Sequence, residues 1–324
     1  MPLRLARLAC SSLLALLFAV PAAAQDKYPV RPVRVIVPFA PGGGTDIVGR
    51  ILAARLSERL GQSFYVDNKP AGSGILGADM VTKANPDGYT LLFAFSSLAS
   101  SAKLFTKLPF DPTRDFAPVT LATTSPLVLF SHPSVPATTI KDLIAYARAN
   151  PDKLNYASSG PGSSPHLATE LFMSMAGIKL THISYKGIAP AIQAQIANEA
   201  QLSFTPIAVG MPYVSSGLLR ALGSGGLKRS AAIPDIPTID ESGVPGFEVI
   251  GWWGLLAPAR TPRPLVDRLN RETRAVMDIP DVRRSLLDQG MDPAGGTPEA
   301  FGELVKADMD KWGDIGKRLG VTLD

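Results

Sequence analysis

Cysteine is nearly absent: one thiol, Cys10, serves 324 residues, and it stands ahead of an apolar run at the N-terminus. A lipid-attachment cysteine would follow such a run, so Cys10 is not a lipoprotein cysteine. Without it the chain has no disulfide, no thiol chemistry and no thiolate metal site. Histidine is almost as scarce. His132, His166 and His182 fall in no H-x-H or H-E-x-x-H spacing, which speaks against a metal centre. There is no G-x-S-x-G elbow for a serine hydrolase. Ser163 and His166, three residues apart at a helix start, read as capping and not as a nucleophile with its base. No enzyme activity and no cofactor are expected. Charge is sparse too, at 19% of residues, with no basic run. Without Arg4 and Arg7 the chain carries 30 basic against 28 acidic residues, so nucleic acid is not an expected partner. No apolar run approaches the roughly 20 residues of a membrane-spanning helix.

What is present is a chain 46% hydrophobic and long enough for two domains, each with its own core. Its first residues, MPLRLARLACSSLLALLFAVPAAAQ, place two arginines before an apolar stretch of about half a membrane span, then small residues at 22–24. That layout predicts a signal peptide over 1–24, a mature start at Gln25 and export to a bacterial periplasm. Export without disulfides agrees with that compartment.

Beyond the leader, strands and helices alternate. The run VRVIVPF predicts a strand over 33–39, and apolar residues at helical spacing predict a helix ending at Gly61. A short strand over 64–66, a helix to about 84, the turn Asn85-Pro86-Asp87-Gly88 and a strand over 90–95 follow. The segment 118–131 is strand-rich and long enough to leave one sheet and enter another. The pattern then restarts: helix 139–149, strand 154–157, helix 166–176, strand 181–185, a helix from about 190, and strand 201–205. A second β-rich passage, 247–256, returns the chain to a mostly helical remainder, whose last helix opens at Thr297-Pro298-Glu299. The order predicts an α/β fold with largely parallel strands.

Three segments share one design, a strand leading through Gly, Ser and Thr to a helix start: PFAPGGGTD (38–46), YASSGPGSSPH (156–166) and SYKGIAPA (184–191). Helix N-termini leave N–H groups unpaired and attract anions, and glycine admits a ligand close to the backbone. In open α/β sheets such loops lie where ligands bind. The plainer alternative is that Thr45 and Ser164 are N-caps and the glycines are turns. The first loop lacks the lysine of a P-loop, Ile47 takes the third glycine position of a dinucleotide fingerprint, and Asp46 would repel a phosphate. A mono- or dicarboxylate is the better anion. Trp252 and Trp253 can stack on a ligand, but at a crossover they are expected to pack between lobes.

Taken in order, YPVRPVRVIVPFAPGGGTDIVGRILA (28–53), NPDGYTLLF (85–93), LPFDPTRDFAPVTL (108–121), YASSGPGSSPHLATELF (156–172), YKGIAPAI (185–192) and IPDIPTIDESGVPGFEVIGWWGLLAPARTP (233–262) resemble the extracytoplasmic receptors of tripartite tricarboxylate transporters, also called Bug receptors. The resemblance spans the chain beyond the leader. It implies a two-lobe, periplasmic binding-protein-like α/β fold of the type II class, with residues 25–125 and 253–324 in one lobe, 126–252 in the other, and crossovers near 125 and 252. It implies a small organic anion held in the cleft, often a carboxylate met partly through ordered waters, and integral-membrane permease subunits as partners of a monomeric receptor. A receptor feeding a signalling partner is the alternative. The ligand residues it implies in the first lobe are Phe39, Pro41, Gly42, Gly43, Gly44, Thr45 and Asp46, with Ser96 and Ser97. In the second they are Ser158, Gly160, Gly162, Ser163 and His166, then Tyr185, Lys186 and Gly187, and Thr205 where relatives usually carry an acid. The stretch QAQIANEA (193–200) and the turn over 98–101 also depart from the family pattern, and all three departures bear on ligand identity.

Overall fold

The computed structural model describes Tyr28 to Leu323, so the predicted leader and its cleavage at Gln25 lie outside the described residues. Strand β1 (Val33–Val37) is the β-branched run, with only Arg34 not fully buried. It stops two residues short of the expected end because Pro38 has no N–H to give the ladder. Helix α1 (Gly44–Leu60) ends at Gly61, whose φ of 68° is the left-handed cap that glycine tolerates. Strand β2 (Phe64–Asn68), helix α2 (Ile75–Thr82) and strand β3 (Thr90–Phe95) follow, and β2 and β3 flank β1 in parallel. A short helix, α3 (Ser97–Ser100), leads on to the long strand β4 (Phe116–Ser131).

The second lobe repeats the design with α4 (Ile140–Ala149), β5 (Asn155–Ser158), α5 (Ser164–Ala176), β6 (Thr181–Ser184), α6 (Ile188–Ile196), β7 (Leu202–Pro206), α7 (Ile207–Ser215) and β8 (Arg220–Ser224). Strand β9 (Ile250–Pro258) returns to the first lobe. There α8 (Arg263–Met277), α9 (Pro280–Asp288), the two-residue β10 (Asp292–Pro293) and α10 (Pro298–Leu319) complete the described chain. The strands form one path, β2-β1-β3-β9-β4-β7-β5-β6, with β8 and β10 pairing to β4 off that path.

The two lobes are joined through β4 and the entry to β9. From Phe116 to Pro126, β4 pairs antiparallel with β9; from Leu127 to Ser131 its partners are β7 and β8. Val249 still bonds to second-lobe Gly225 and Leu127, and from Gly251 the chain pairs with the first-lobe stretch of β4 and with β3. The two connections thus run side by side. Leu127, Val128, Leu129 and Phe130 are all 0% exposed, as a strand covered on both faces requires, and each contributes about 1.5–3 kcal/mol by burial. α3, α7 and β8 were not legible in the sequence. α7 starts directly after β7 with the consecutive buried run Ile207, Ala208, Val209 and Gly210, which carries no helical period.

Candidate functional site between the lobes

In the first lobe, α1 opens at Gly43 with no side-chain cap, which leaves its first N–H groups to a ligand or solvent. Asp46 explains how the preceding turn keeps its shape. Its Oδ2 accepts from the Gly42 N–H at 3.0 Å and from Arg50 Nε at 3.0 Å, and its Oδ1 accepts from Asn68 Nδ2 at 2.9 Å. Burial pushes its pKa up, but the bonds from Arg50, Gly42 and Asn68 outweigh this and hold it below the usual carboxylate value. Both oxygens are committed to the protein, so Asp46 shapes the loop. Gly42 has φ 83°, and a Cβ on Gly44 would sit 3.2–3.5 Å from Met291, Trp253 and Pro206, so the backbone here packs as closely as glycine allows.

In the second lobe, the loop after β5 is built by its own hydroxyls and a histidine. Ser158 Oγ accepts from the Gly160 N–H (3.1 Å) and contacts His182 Nε2 (2.7 Å). Ser163, not Ser164, is the N-cap of α5, and it also donates to the Gly160 carbonyl at 2.6 Å. Neither Thr45 nor Ser164 is the cap that the sequence suggested. His166 Nδ1 accepts from the Gly162 N–H at 3.0 Å, which fixes its neutral tautomer with the proton on Nε2, toward Glu170. The His166 and His182 rings stack at 4.3 Å, and Tyr156 stacks on His182 at 4.8 Å while its hydroxyl donates to Glu170. Burial, then the neighbouring His182, lowers His166 to about 3; burial lowers His182 to about 4.

The two loops face each other around a tight cavity of about 20 Å³. Phe39, Phe95, Trp253, Pro165, Ile188 and Pro206 form its apolar wall. Gly43, Gly44, Thr45 and Ser159 supply its polar edge. Thr45 Oγ1 accepts the Trp253 indole N–H at 3.1 Å, and Phe95 stacks on Trp253 at 4.7 Å. Ser159 is 4% exposed, and its hydroxyl has no hydrogen-bond partner within the protein. An orphaned buried hydroxyl facing a cavity points to a missing partner. From the second lobe, α6 opens at Gly187 with no side-chain cap, and a Cβ on Gly43 would meet Ile188 at 3.2 Å, so the two uncapped helix starts converge.

The rim is sealed by direct contact across the lobes. Ser96 Oγ and Ser164 Oγ lie 2.8 Å apart, the Ser164 N–H donates to Ser97 Oγ at 3.1 Å, and Ser100 Oγ donates to the Gly162 carbonyl at 3.2 Å. Ser73 Oγ donates to the Pro161 carbonyl.

Of the residues the resemblance implied, Phe39, Gly43, Gly44 and Thr45 reach the cavity. Pro41 and Gly42 form the turn before α1, where Gly42 packs toward Ala189. Ser96 and Ser97 close the rim, and Ser158, Gly160, Gly162, Ser163 and His166 build the loop that carries Ser159. Gly187 opens α6 against Ala40. Tyr185, Lys186 and Thr205 are not among the cavity's walls: Tyr185 donates to Glu199 at the surface, Lys186 is exposed, and Thr205 Oγ1 pairs with Ser203 inside the second lobe. Phe95, Ser159, Pro165, Ile188, Pro206 and Trp253 also line the cavity, though the sequence did not single them out as ligand residues. For Ser159 the signal was its place in the second loop; for Trp253 no spacing distinguishes packing between lobes from lining a site, and it does both. Among the described residues no three His, Cys, Asp or Glu side chains gather as a metal site would require.

Comparison with known proteins agrees with this architecture. Residues 48–321 match the family model described as "Tripartite tricarboxylate transporter family receptor". BugT of Bordetella pertussis is 33% identical over 300 residues, covering 92% of each chain. Rpa4515 of R. palustris, solved with adipate, superposes with a TM-score of 0.89 at 36% identity, over 91% of this chain and 99% of that one. MatC of Rhodopseudomonas palustris, solved with bound malate, gives 0.85 at 33% identity, over 89% and 99%. With a match over most of its length, a shared two-lobe fold and a cavity between the lobes, the chain belongs to the tripartite tricarboxylate transporter receptor family.

Proposed function

We propose that this protein is a periplasmic receptor that captures a small organic carboxylate between its lobes and delivers it to the membrane permease of a tripartite tricarboxylate-type secondary transporter. It performs no reaction of its own. The observation that carries the reading is the unpartnered Ser159 hydroxyl, set in a cavity beside the uncapped start of α1. Helix N–H groups and a hydroxyl donor together suit a carboxylate, and charge-assisted bonds of this kind are each worth about 1.5–3 kcal/mol. Relatives solved with adipate and malate support the same ligand chemistry.

On this reading the ligand residues are Phe39, Gly43, Gly44, Thr45, Ser159 and Trp253, while Asp46, Ser158, Ser163 and His166 hold the loops in place. The first lobe comprises residues 25–125 and 253–324 and the second 126–252, with the hinge where β4 and the entry to β9 change partners. The leader is cleaved before Gln25 and the mature receptor is a monomer; no helix of the described residues is long and apolar enough to cross a membrane. Native mass spectrometry of protein purified from periplasm tests the whole reading. A mass beginning at Gln25 with a copurified organic acid is expected. Protein that carries no acid, and in calorimetry binds a carboxylate and its methyl ester equally, would refute the anion site.

A further inference from the structure

Resting on the reading that the cavity between the lobes holds the ligand, we infer that Asp308 is a positioning residue for that site: from behind the sheet it fixes Trp252, and with it the Trp253 wall and the Ser96 rim. Successive side chains of a strand point to opposite faces, so β9 carries Trp253 toward the cavity and Trp252 toward α10. On the cavity face Trp253 stacks on Phe95 and donates to Thr45 Oγ1. On the other face the Trp252 indole N–H donates to Asp308 Oδ2 at 2.9 Å, and its ring meets Phe301 edge-on with centroids 5.3 Å apart. The Trp252 backbone carbonyl accepts from the Ser96 N–H at 3.0 Å. Ser96 is the residue whose hydroxyl lies against Ser164 of the second lobe. One indole bond thus stands behind both a wall of the cavity and a contact that closes its rim.

The ladder alone holds this part of β9 loosely. The register of β4 against it shifts between Leu121 and Thr123, opposite Gly254 and Trp253, and such an irregularity interrupts pairing and re-aims side chains. A side-chain anchor on the far face makes up for it. α10 meets the strand with Phe301, Val305, Asp308 and Trp312, spaced to share one helix face, and only Asp308 among them carries a charge. Phe301, Val305 and Trp312 are buried, and Gly254 leaves no room for a Cβ against Phe301. A carboxylate in such a stripe costs desolvation. Here that loss pushes its pKa up to about 6, against the Trp252 indole, the Lys311 charge and the Trp312 indole, which favour the ionised form. Lys311 is shared, since its Nζ also lies 3.8 Å from the Glu248 carboxylate. An apolar residue would fill the stripe at less cost but would leave both indole N–H groups without their acceptor. A carboxylate accepts from both, whereas an asparagine offers one oxygen and brings donors of its own.

The test is heteronuclear NMR of the full mature protein, cleared of bound ligand by unfolding and refolding. Its three tryptophans, Trp252, Trp253 and Trp312, give three indole N–H signals. The Trp252 and Trp312 signals should move together as pH falls through about 6, and should not titrate in Asp308→Asn. Asp308→Asn should also displace the Trp253 signal, on the opposite face of β9. Trp252→Phe, which keeps the ring and removes the donor, should displace it likewise, and the double variant should add nothing further. Should Asp308→Asn not fold, Trp252→Phe carries the same test. A Trp253 signal that stays in place in these variants would overturn the inference, and so would a Trp252 signal that does not titrate. Calorimetry with adipate and malate, at a temperature where every variant is folded, supplies the second readout. Whichever acid the native protein binds should bind roughly three-fold or more weakly to each single variant, and no more weakly still to the double. Equal affinity would overturn the inference and leave the carboxylate-receptor reading standing. Binding of neither acid by the native protein would count against that reading alone, while the Trp253 signal still decides the role of Asp308.

Discussion

Ser159 and Ser163 stand four residues apart in one loop, yet their hydroxyls do different work. Ser163 caps α5 and bonds to Gly160, whereas Ser159 bonds to nothing in the protein. Ser163→Ala should therefore lower the stability of the empty receptor by about 1 kcal/mol, a fall of roughly 2–4 °C in Tm. Ser159→Ala should leave that Tm unchanged or slightly higher, since it removes a desolvated orphan, and should weaken ligand binding by about 1–3 kcal/mol. Thermal melts with and without ligand separate the two. His166 gives a second residue-scale expectation. It titrates near 3 in the folded chain because of burial, then His182, against about 6.5 when unfolded. Between those values the unfolded chain binds the extra proton, so stability is full above about pH 6.5 and falls as pH drops toward 4. By pH 5 the loss from His166 should be on the order of 1–2 kcal/mol. Asp308 acts in the opposite sense, because burial raises it to about 6. Comparing the native chain with His166→Gln cancels that shared contribution. Denaturant melts from pH 7 to 5 should show the flatter profile in the variant; equal slopes would mean His166 takes up its proton while folded.

At the scale of elements, the segment after α10 is part of the closure. Leu323 bonds through its N–H to the Leu104 carbonyl (2.8 Å) and through its own carbonyl to the Thr106 N–H (2.9 Å), which lays the chain end along the first lobe. Its side chain reaches the second-lobe loop: a Cβ on Gly162 would lie 2.6 Å from Leu323 Cδ1 and 3.1 Å from Phe105. This contact exists only when the lobes meet, so it favours the arrangement that encloses the ligand. Leu323→Ala should weaken ligand binding two- to five-fold, about 0.5–1 kcal/mol of lost apolar contact, with little change in the melting of the empty protein. Isothermal titration checks this; unchanged affinity would show that the tail is a first-lobe feature alone.

For the molecule as a whole, binding must be coupled to closure, because the donors come from both lobes and only their approach brings both sets within reach. Gly160 is the position to test. Its φ is 125°, and a Cβ there would lie 2.5 Å from Ser73 Oγ and 3.3 Å from the Ser73 backbone nitrogen, across the interface. Gly160→Ala should hold the lobes apart, weaken binding ten-fold or more and, through local strain, cost about 1–2 kcal/mol of stability. Small-angle scattering should show the native protein contracting on ligand addition and the variant contracting less at equal saturation. Equal contraction would locate the closing surface elsewhere.

The sequence by itself determined the alternation of strands and helices, the caps at Gly61 and Thr297, and the two β-rich crossings, because each depends on local period or on one residue's backbone preference. It also located the loops at 38–46 and 156–166, since glycine and hydroxyl residues between a strand and a helix have few other uses. Family membership was equally legible, through motifs kept in order along the chain. Only the tertiary structure decided the roles inside those loops. Asp46, which as a residue type could touch a ligand or a loop, is turned inward by Gly42, Arg50 and Asn68. Tyr185 and Lys186 leave β6 away from the cavity, while Phe95, Pro206 and Trp253, from three separate strands, arrive in it. Those placements depend on β3, β7 and β9 meeting across two lobes. No spacing along the chain encodes contacts between segments more than a hundred residues apart, so the wall that selects a ligand becomes visible only when the lobes come together.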